Sequence, residues 1–541
     1  MEVVSLSLFL LLAVVISVAA ARMLPLSIPT PLVQIALGAL IGLSTSYRVE
    51  LDPELFLLLF LPPLLFLDGW RIPKDELFKD LSTVVELALG LVLLTVVGMG
   101  LFIHWMIPAM PLAVAFALAA VVSPTDPIAV SAIAARVPIP KRMMHILEGE
   151  SLLNDASGLV CLRFAIAAAL TGTFSAGAVA LNFLWVAGAG LAIGVILTAA
   201  VSRAKAWLTR RSGEDTGSQI LVSLLIPFGS YLLAEHLHAS GILAAVSAGV
   251  TMTFVEISRQ AAAVTRMRRN SVWDTVQFAL NGIIFVLLGE QLPAILANAR
   301  QTVAITGHAS PWWLGAYILA IVTGLVVLRF VWVWVSLRLT ILRKATGIGR
   351  SPDWRVVATT SFAGVRGAIT LAGVLTLPLT MADGSAFPGR DLAIFLAAGV
   401  IIVSLILATL TLPILLKGLA LPAQPSGQEE EDAARISTAK AAVRAIERHQ
   451  HALAEEHDDP DLYTAAGSRV MDFYRDRIDG LTDGASDALR QQEALASELR
   501  LVGVKAEREQ LTRLIRDRSV GSETARKLVR ELDLAEARHR G

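Results

Sequence analysis

The sequence is poor in cysteine and has no excess of charge of either sign. Cys161 is the single cysteine in 541 residues, which excludes an internal disulfide framework. The 46 basic side chains equal the 46 acidic ones, so bulk attraction to nucleic acid is not expected. The start, Met1-Glu-Val-Val, lacks the basic segment of a cleavable signal peptide, and we predict that the first apolar run is retained as a helix.

Charged residues are also scarce, at 17% of the chain, whereas hydrophobic residues make up 55%. With a mean hydropathy of +0.64, this composition indicates an all-α polytopic membrane protein rather than a globular one. The apolar runs predict about thirteen transmembrane helices. Their approximate positions are 3–21, 29–44, 54–69, 84–106, 111–134, 144–171, 179–203, 218–237, 240–257, 271–297, 312–337, 355–380 and 391–416.

Basic residues are concentrated in alternate loops between these spans. One loop of each alternate pair is rich in basic residues, as in the loop with Arg136, Lys141 and Arg142. The basic residues of the intervening loops are only Arg48, Arg300 and Arg390. Because basic loops face the cytoplasm, this alternation predicts an N-terminus outside the cell and a cytoplasmic C-terminus.

The composition changes abruptly near residue 421, which predicts a transmembrane domain over 1–420 and a cytosolic helical tail over 421–541. Apolar residues in the tail recur at helical spacing, as in Leu495, Leu499 and Val502. A solvated tail that aids stability or assembly and a regulatory or dimerising domain are both compatible with it. Three glycines are predicted to separate its helices: Gly480, Gly484 and Gly521.

The fifth span carries the string Val122-Ser-Pro-Thr-Asp-Pro-Ile128. Proline breaks a helix, and the freed carbonyl groups at membrane depth are tolerated only where they face protein or water. A simple proline kink with a hydrogen-bonded aspartate is the alternative. An acid inside a membrane is costly and therefore a functional candidate, so Thr125 and Asp126 are predicted to belong to an ion site.

The sixth span adds a polar stripe to the same site. Glu150 and Asn154 are four residues apart, as are Ser151 and Asp155, so their oxygens lie on adjoining faces of one helix. Oxygen ligands suit a hard cation such as Na⁺ or Li⁺, and no His or Cys cluster favours a transition metal. A carboxylate that binds a cation only when deprotonated makes the cation and the proton competitors, which is the chemistry of an exchanger.

Two arginines inside later spans need partners. Arg329 and Arg366 stay charged, so each is expected to meet an acid, a helix end or water, and Glu150 is a natural partner. Gly364 and Gly367 flank Arg366 and predict a second interrupted helix. Both interrupted helices are fifth in a set of six spans, which is the spacing of inverted repeats.

Five strings together resemble the bacterial monovalent cation:proton antiporters of the NhaP/NHE-like branch, the Na⁺/H⁺ exchanger superfamily. The strings are Pro62-Pro-Leu-Leu-Phe-Leu-Asp68, Ser123-Pro-Thr-Asp-Pro127, Glu148-Gly-Glu-Ser-Leu-Leu-Asn-Asp-Ala156, Ser240-Gly-Ile-Leu-Ala244 and Ala363-Gly-Val-Arg-Gly367.

The resemblance implies a dimeric NhaA-type fold of thirteen helices, with an inverted repeat, crossed discontinuous helices, a dimerisation domain and a mobile core domain. It implies that Asp155 binds both the cation and the proton, with Thr125, Asp126 and Ser151 adding ligands for Na⁺. Asn154 occupies the position where electrogenic relatives carry a second aspartate, which implies electroneutral exchange of one Na⁺ for one H⁺.

The resemblance also assigns supporting residues. Glu150 and Arg329 match the buried ion pair of the family, and Arg366 matches an arginine that steadies the crossed helices. The expected location is the cell inner membrane, with lipid, monovalent cations and protons as partners and no cofactor.

The sequence leaves the transported cation open, because a K⁺/H⁺ or broad monovalent cation antiporter fits the same residues. A channel would need a continuous selectivity filter, and no TVGYG-like string occurs. A membrane enzyme would need a nucleophile or metal motif such as His-Glu-x-x-His, and none occurs. Both alternatives are therefore disfavoured.

Overall fold

A computed structural model divides the chain into two compact units, residues 1–420 and 421–541. Every regular element among the described residues is a helix, apart from one isolated bridge between Thr380 and Ala386. The described residues are 2–23, 28–44, 53–71, 90–127, 130–131, 141–171, 176–213, 215–258, 263–304, 306–308, 310–344, 354–381, 383–417, 427–456, 460–482, 486–517 and 519–540.

The first unit is built of mainly apolar helices. In the part of the chain described above they are α1 (Glu2–Met23), α2 (Thr30–Ser44), α3 (Pro53–Arg71), α4 (Leu91–Met106), α5 (Leu112–Val122), α6 (Lys141–Thr171), α7 (Ala176–Ser212), α8 (Thr216–His236), α9 (Gly241–Ser258), α10 (Ala263–Ala297), α11 (Ala299–Ala304), α12 (Trp312–Lys344), α13 (Trp354–Phe362), α14 (Ala368–Leu375) and α15 (Arg390–Leu416).

Helices overlap all the predicted spans within the described residues, and six of them are long and apolar enough to cross a bilayer. This confirms a multi-helix membrane architecture, whereas the total of thirteen crossings stays a prediction. Several helices run beyond the predicted bounds: α10 begins at Ala263 rather than near 271. Hydropathy detects only the apolar part of a helix, and Arg and Ala residues continue the helix past it.

Two of the predicted spans are interrupted, as their prolines and glycines predict. Helix α5 ends at Val122, and the non-helical segment 123–126 contains Pro124, which cannot donate a helical hydrogen bond. Helices α13 and α14 are separated by the non-helical segment 363–367. Both interruptions lie in the buried interior, where neighbouring protein satisfies the freed backbone groups.

Glycines allow neighbouring helices of this unit to pack backbone against backbone. A Cβ atom added to Gly38 of α2 would collide with the carbonyl oxygen of Val286 in α10. A Cβ atom added to Gly289 of α10 would collide with the carbonyl oxygen of Ile35. Small residues at helix contacts are the usual way for membrane helices to approach closely, since lipid supplies no hydrophobic drive for association.

The second unit contains four long polar helices among the described residues: α16 (Gly427–Glu456), α17 (Pro460–Thr482), α18 (Ser486–Arg516) and α19 (Ser522–Arg540). Helix α16 packs on α17, and α18 packs on α19. Arg508 of α18 reaches Asp533 of α19, with 2.7 Å between Nη2 and Oδ1. The tail is therefore helical, as the sequence predicts.

The predicted breaks in the tail have mixed outcomes. Gly521 does separate α18 from α19. The prediction for Gly480 is wrong, because α17 continues through it to Thr482. A single glycine weakens a helix by only about 1 kcal/mol, which neighbouring helix formers offset. Gly484 lies outside the described residues.

Candidate cation site

The two interrupted helices meet at their non-helical segments. The Asp126 N–H donates to the Val365 carbonyl oxygen at 2.7 Å, which joins the two interruptions through their backbones. The Arg366 Nε donates to the Val122 carbonyl oxygen at 2.9 Å. The positively charged guanidinium group of Arg366 therefore lies at the carbonyl end of α5, where the helix dipole is negative. The Arg366 guanidinium also donates to the Gly364 carbonyl oxygen. The backbone N–H of Arg366 donates to Ser404 Oγ at 3.1 Å.

Close contact at this crossing depends on Gly367. A Cβ atom added there would collide with the carboxylate of Asp126. Gly367 therefore lets the acid lie against the start of α14, where the helix presents backbone N–H groups. This is the position at which the partial positive charge of a helix end favours a carboxylate.

Helix α6 brings its polar stripe to the same place. Ser151 Oγ donates to the Thr125 carbonyl oxygen at 2.8 Å and lies 3.4 Å from Asp155 Oδ2. Asn154 Nδ2 donates to Thr125 Oγ1 at 2.9 Å. Ser151, Asn154 and Asp155 are all buried. The polar face of α6 is therefore hydrogen-bonded to the interrupted segment that follows α5.

A cavity of about 20 Å³ lies between these elements, which is room for one water-sized occupant. Thr125, Asp126, Ser151 and Asp155 all line it. Carboxylate and hydroxyl oxygens are the ligands that hard cations prefer, and interrupted helices supply backbone carbonyls of the same kind. The cavity thus has the size and the ligand chemistry of a site for a small monovalent cation.

Asn154 does not line the cavity, unlike the four other predicted site residues. Its amide nitrogen holds Thr125, and its Oδ1 is buried without a hydrogen-bond donor among the described residues. Asn154 therefore contacts a predicted ligand rather than the cavity itself.

Two further polar residues also line the cavity, and neither was predicted from the sequence to belong to the site. Asp68 comes from α3 and Asn281 from α10. Three carboxylates around one small cavity repel each other unless a proton or a cation is bound. An acid at the end of the predicted span 54–69 was the available signal for Asp68. For Asn281 the only signal was an amide within an apolar run.

Glu150 faces away from the cavity and forms an ion pair with Arg329. The Arg329 Nη2 donates to Glu150 Oε2 at 2.7 Å, Nη1 donates to Oε1, and Nε donates to the Thr360 carbonyl oxygen at 3.0 Å. Relative exposure is 2% for the arginine and 0% for the glutamate, so the pair is fully desolvated. Buried charges of this kind persist only when each is paired and hydrogen-bonded.

Arg163, which lies further along α6, has a partner that the sequence did not reveal. Its Nη2 donates to Glu235 Oε1 at 2.7 Å, and the same oxygen accepts the N–H of Gly241 at 3.0 Å. Glu235 therefore connects α6 to the junction of α8 and α9. The string Ser240-Gly-Ile-Leu-Ala244 lies at that junction.

Interrupted helices that cross beside buried carboxylates, in a chain of apolar helices, define a secondary transporter of ions. The chain belongs to the sodium/hydrogen exchanger family, whose transmembrane family model matches residues 9–418. It is accordingly a multi-pass transporter that exchanges monovalent cations for protons, not an enzyme.

Similar proteins cover almost the whole chain. It is 43% identical to the uncharacterized Na⁺/H⁺ exchanger YjcE of Escherichia coli strain K12, over 99% of this chain and 99% of that protein. It is 39% identical to the sodium, potassium, lithium and rubidium/H⁺ antiporter of Bacillus subtilis strain 168, over 97% of this chain and 76% of that protein.

A solved structure has the same fold. The sodium proton antiporter MjNhaP1 from Methanocaldococcus jannaschii aligns with 77% of this chain and 99% of its own, with a TM-score of 0.59. The sequences are 19% identical, so this likeness concerns the fold alone. It confirms an all-helical fold of the NhaP1 type, whereas the inverted repeat and the thirteen crossings implied by the resemblance stay predictions.

Proposed function

We propose that the protein exchanges Na⁺ or Li⁺ for H⁺ one to one, with Asp155 as the shared site of the two ions. The observation that carries this proposal is the position of Asp155: its carboxylate lines the cavity at the crossing of the interrupted helices, 3.4 Å from the Ser151 hydroxyl. An acid in a membrane interior is costly unless it binds something, and here the neighbours are oxygen ligands.

Proton and cation compete for this carboxylate. When Asp155 is deprotonated, its negative charge and the oxygens of Ser151, Thr125 and Asp126 form the cation site. When it is protonated, the charge that attracts the cation is gone. Exchange follows if the loaded site faces each side of the membrane in turn, because either ion can move the carrier but an empty charged site does not.

The proposed stoichiometry rests on Asn154. It stands beside Asp155 in the sequence and is an amide, which neither titrates nor adds charge. With Asp155 as the one carboxylate that changes protonation, one proton replaces one cation and no net charge crosses. Asp68 and Asp126 then keep one protonation state through the cycle.

The names of the relatives favour a second candidate. The related Bacillus proteins are called sodium, potassium, lithium and rubidium/H⁺ antiporters, at 40% and 39% identity. A broad monovalent cation/H⁺ antiporter uses the same carboxylate chemistry and differs in the cavity size that the cation requires. Which cation the protein prefers must therefore be measured separately from whether Asp155 is the binding site.

The wider arrangement is also a proposal. We place the transporter in the cell inner membrane as a homodimer, with the N-terminus outside and the thirteen crossings arranged as inverted repeats. Residues 1–420 carry the dimerisation and mobile core subdomains, and residues 421–541 form a cytosolic tail. In this arrangement Arg366 fastens the crossed helices and the Glu150–Arg329 pair holds α6 to α12.

Transport in proteoliposomes tests the site. A preset pH gradient should collapse on addition of Na⁺ or Li⁺, and Asp155→Asn should abolish the response while leaving the elution profile and melting temperature unchanged. Asp391→Asn is a matched control, because Asp391 is 78% exposed at the start of α15. Substantial exchange by the Asp155 variant would place the ion site elsewhere.

Cation and voltage series test the rest. Equal responses to Na⁺, Li⁺ and K⁺ would favour the broad antiporter over Na⁺/H⁺ exchange. A rate that does not change when valinomycin and K⁺ clamp the voltage supports one-to-one exchange. A voltage-dependent rate would contradict it and make Asp68 the candidate for a second titrating carboxylate.

A further inference from the structure

Helix α18 carries an apolar stripe that its own unit leaves uncovered. Leu495, Leu499 and Val502 are 56%, 62% and 61% exposed. On the opposite side of the helix, Val504 and Leu511 are buried, and α18 packs on α19. Helix α18 thus has two apolar faces. The face with Val504 and Leu511 is buried, whereas the face with Leu495, Leu499 and Val502 is exposed.

The exposed stripe has the spacing of a coiled-coil seam. Leu495, Leu499, Val502 and Ala506 follow one another at intervals of four, three and four residues. This places them at alternating d and a positions of a heptad, which face a partner helix. An apolar stripe confined to the a and d positions is as wide as the contact with one partner helix. The apolar face of a helix that packs on a globular core is wider.

We propose that the apolar stripe of α18 pairs with the same stripe of a second copy of the chain, as an antiparallel two-stranded coiled coil. A two-fold axis passing between Arg500 and Leu501 places Leu499 of each copy opposite Val502 of the other. The contact is self-complementary, as two-fold contacts between identical chains must be.

Charge selects the antiparallel arrangement. Glu498 and Lys505 are both exposed and both occupy the g position beside the stripe. In an antiparallel pair, g positions face g positions, so each Glu498 lies beside Lys505 of the other copy, twice by symmetry. In a parallel pair, Glu498 would face Gly503 of the other copy and would have no charged partner there.

The other edge of the stripe lets the two helices approach. Ala496 and Gly503 occupy its e positions, and a Cβ atom added to Gly503 would meet no atom within 4 Å. Small residues along one edge permit a close helix–helix contact. A membrane surface is the competing occupant, but helices that lie on bilayers have strongly basic polar faces, whereas the stripe is bordered by residues of both signs, Glu498 and Glu509 together with Lys505.

Cysteine cross-linking of the full-length chain tests the contact and its direction. Cys161→Ser removes the single native thiol, so each introduced thiol reports one position. Leu499→Cys should form a disulfide between copies, since an antiparallel pair offsets the two positions by only about 4.5 Å along the axis. Leu495→Cys should not, because its offset is about 16 Å. Arg500→Cys, on the outward side, is the control.

The expected result is a cross-linked yield several-fold higher for Leu499→Cys than for the other two variants. Equal yields at Leu495 and Leu499 would overturn the antiparallel arrangement. Yields no higher than at Arg500 would overturn the contact itself. The contact would also be overturned if Leu499→Cys gave no cross-link and a fluorescent label at that cysteine changed its emission on addition of anionic vesicles.

Charge reversal gives an independent readout. Glu498→Lys or Lys505→Glu should each lower the Leu499→Cys yield, and the two together should restore it, because the pair is only inverted. A double variant as weak as the single ones would overturn the charge pairing. Ion exchange measured on the same samples separates this contact from the proposed transport chemistry, which does not require it.

Discussion

Removal of the Glu150 carboxylate should unfold the protein far more readily than removal of an exposed acid. Glu150→Ala leaves Arg329, at 2% exposure, with only the Thr360 carbonyl oxygen among the partners described for it. An arginine cannot escape by losing its proton. Truncation of one partner of such a buried pair costs about 3–5 kcal/mol, roughly two to four orders of magnitude in the folded-to-unfolded ratio.

A matched control exists at the Arg71–Asp274 pair. Asp274 is 63% exposed, so Asp274→Ala should cost less than about 1 kcal/mol. A second comparison replaces both members of the buried pair: Glu150→Leu with Arg329→Met removes the two charges together. Apolar residues of similar volume often make such a site as stable as the original, so this double variant should regain most of the lost stability.

The assay is equilibrium unfolding in mixed detergent micelles, with tryptophan fluorescence as the signal and proteoliposome exchange measured on the same preparations. A Glu150→Ala protein as stable as the wild type but inactive would refute the reasoning, because the pair would then act in transport rather than in folding. A double variant no more stable than Glu150→Ala would show that lost packing, not an orphaned charge, causes the defect.

Three other changes have defined outcomes. Gly367→Ala should abolish exchange, because the added Cβ collides with the Asp126 carboxylate; a normal exchange rate would contradict the close contact. Asn154→Asp adds a carboxylate next to Asp155 that can titrate with it and should make exchange sensitive to voltage, and an unchanged electroneutral rate would count against the proposed stoichiometry. Hydrogen bonds from Ser218 lower the pKa of Asp215 at the start of α8. The cap therefore contributes fully above about pH 4 and is lost as the pH falls through the folded pKa, so hydrogen exchange at the Ser218 amide should accelerate on acidification beyond its intrinsic pH dependence. Protection that is independent of pH would exclude this effect.

The elements could be predicted from the sequence because each depends on neighbouring residues. Apolar runs predict the membrane helices, Pro124 predicts the end of α5, and the glycines around Arg366 predict the gap between α13 and α14. The polar stripe of α6 follows from helical spacing alone. The tail shows the limit of such signals, since Gly480 weakens α17 without ending it.

The contacts between distant elements could not be predicted in the same way. Nothing local to Val365 indicates that its carbonyl oxygen accepts the Asp126 N–H. Asp68 and Asn281 reach the cavity only because of how α3 and α10 are rotated in the bundle, and rotation depends on packing. The residues alone likewise left open whether Arg329 or Arg366 meets Glu150.

The bond between Asp126 and Val365 has a consequence for experiments that map the site by mutation. Both of its atoms belong to the main chain, so replacing either side chain leaves donor and acceptor in place. A systematic alanine scan would therefore leave this hydrogen bond in place and would not report its contribution. Chemical synthesis can reach it: an ester in place of the Asp126 amide replaces the donor N–H with an oxygen atom and preserves every side chain. At this bond the geometry of the crossing is held by the main chain, whereas the proposed ligands Asp155 and Ser151 contribute side-chain oxygens.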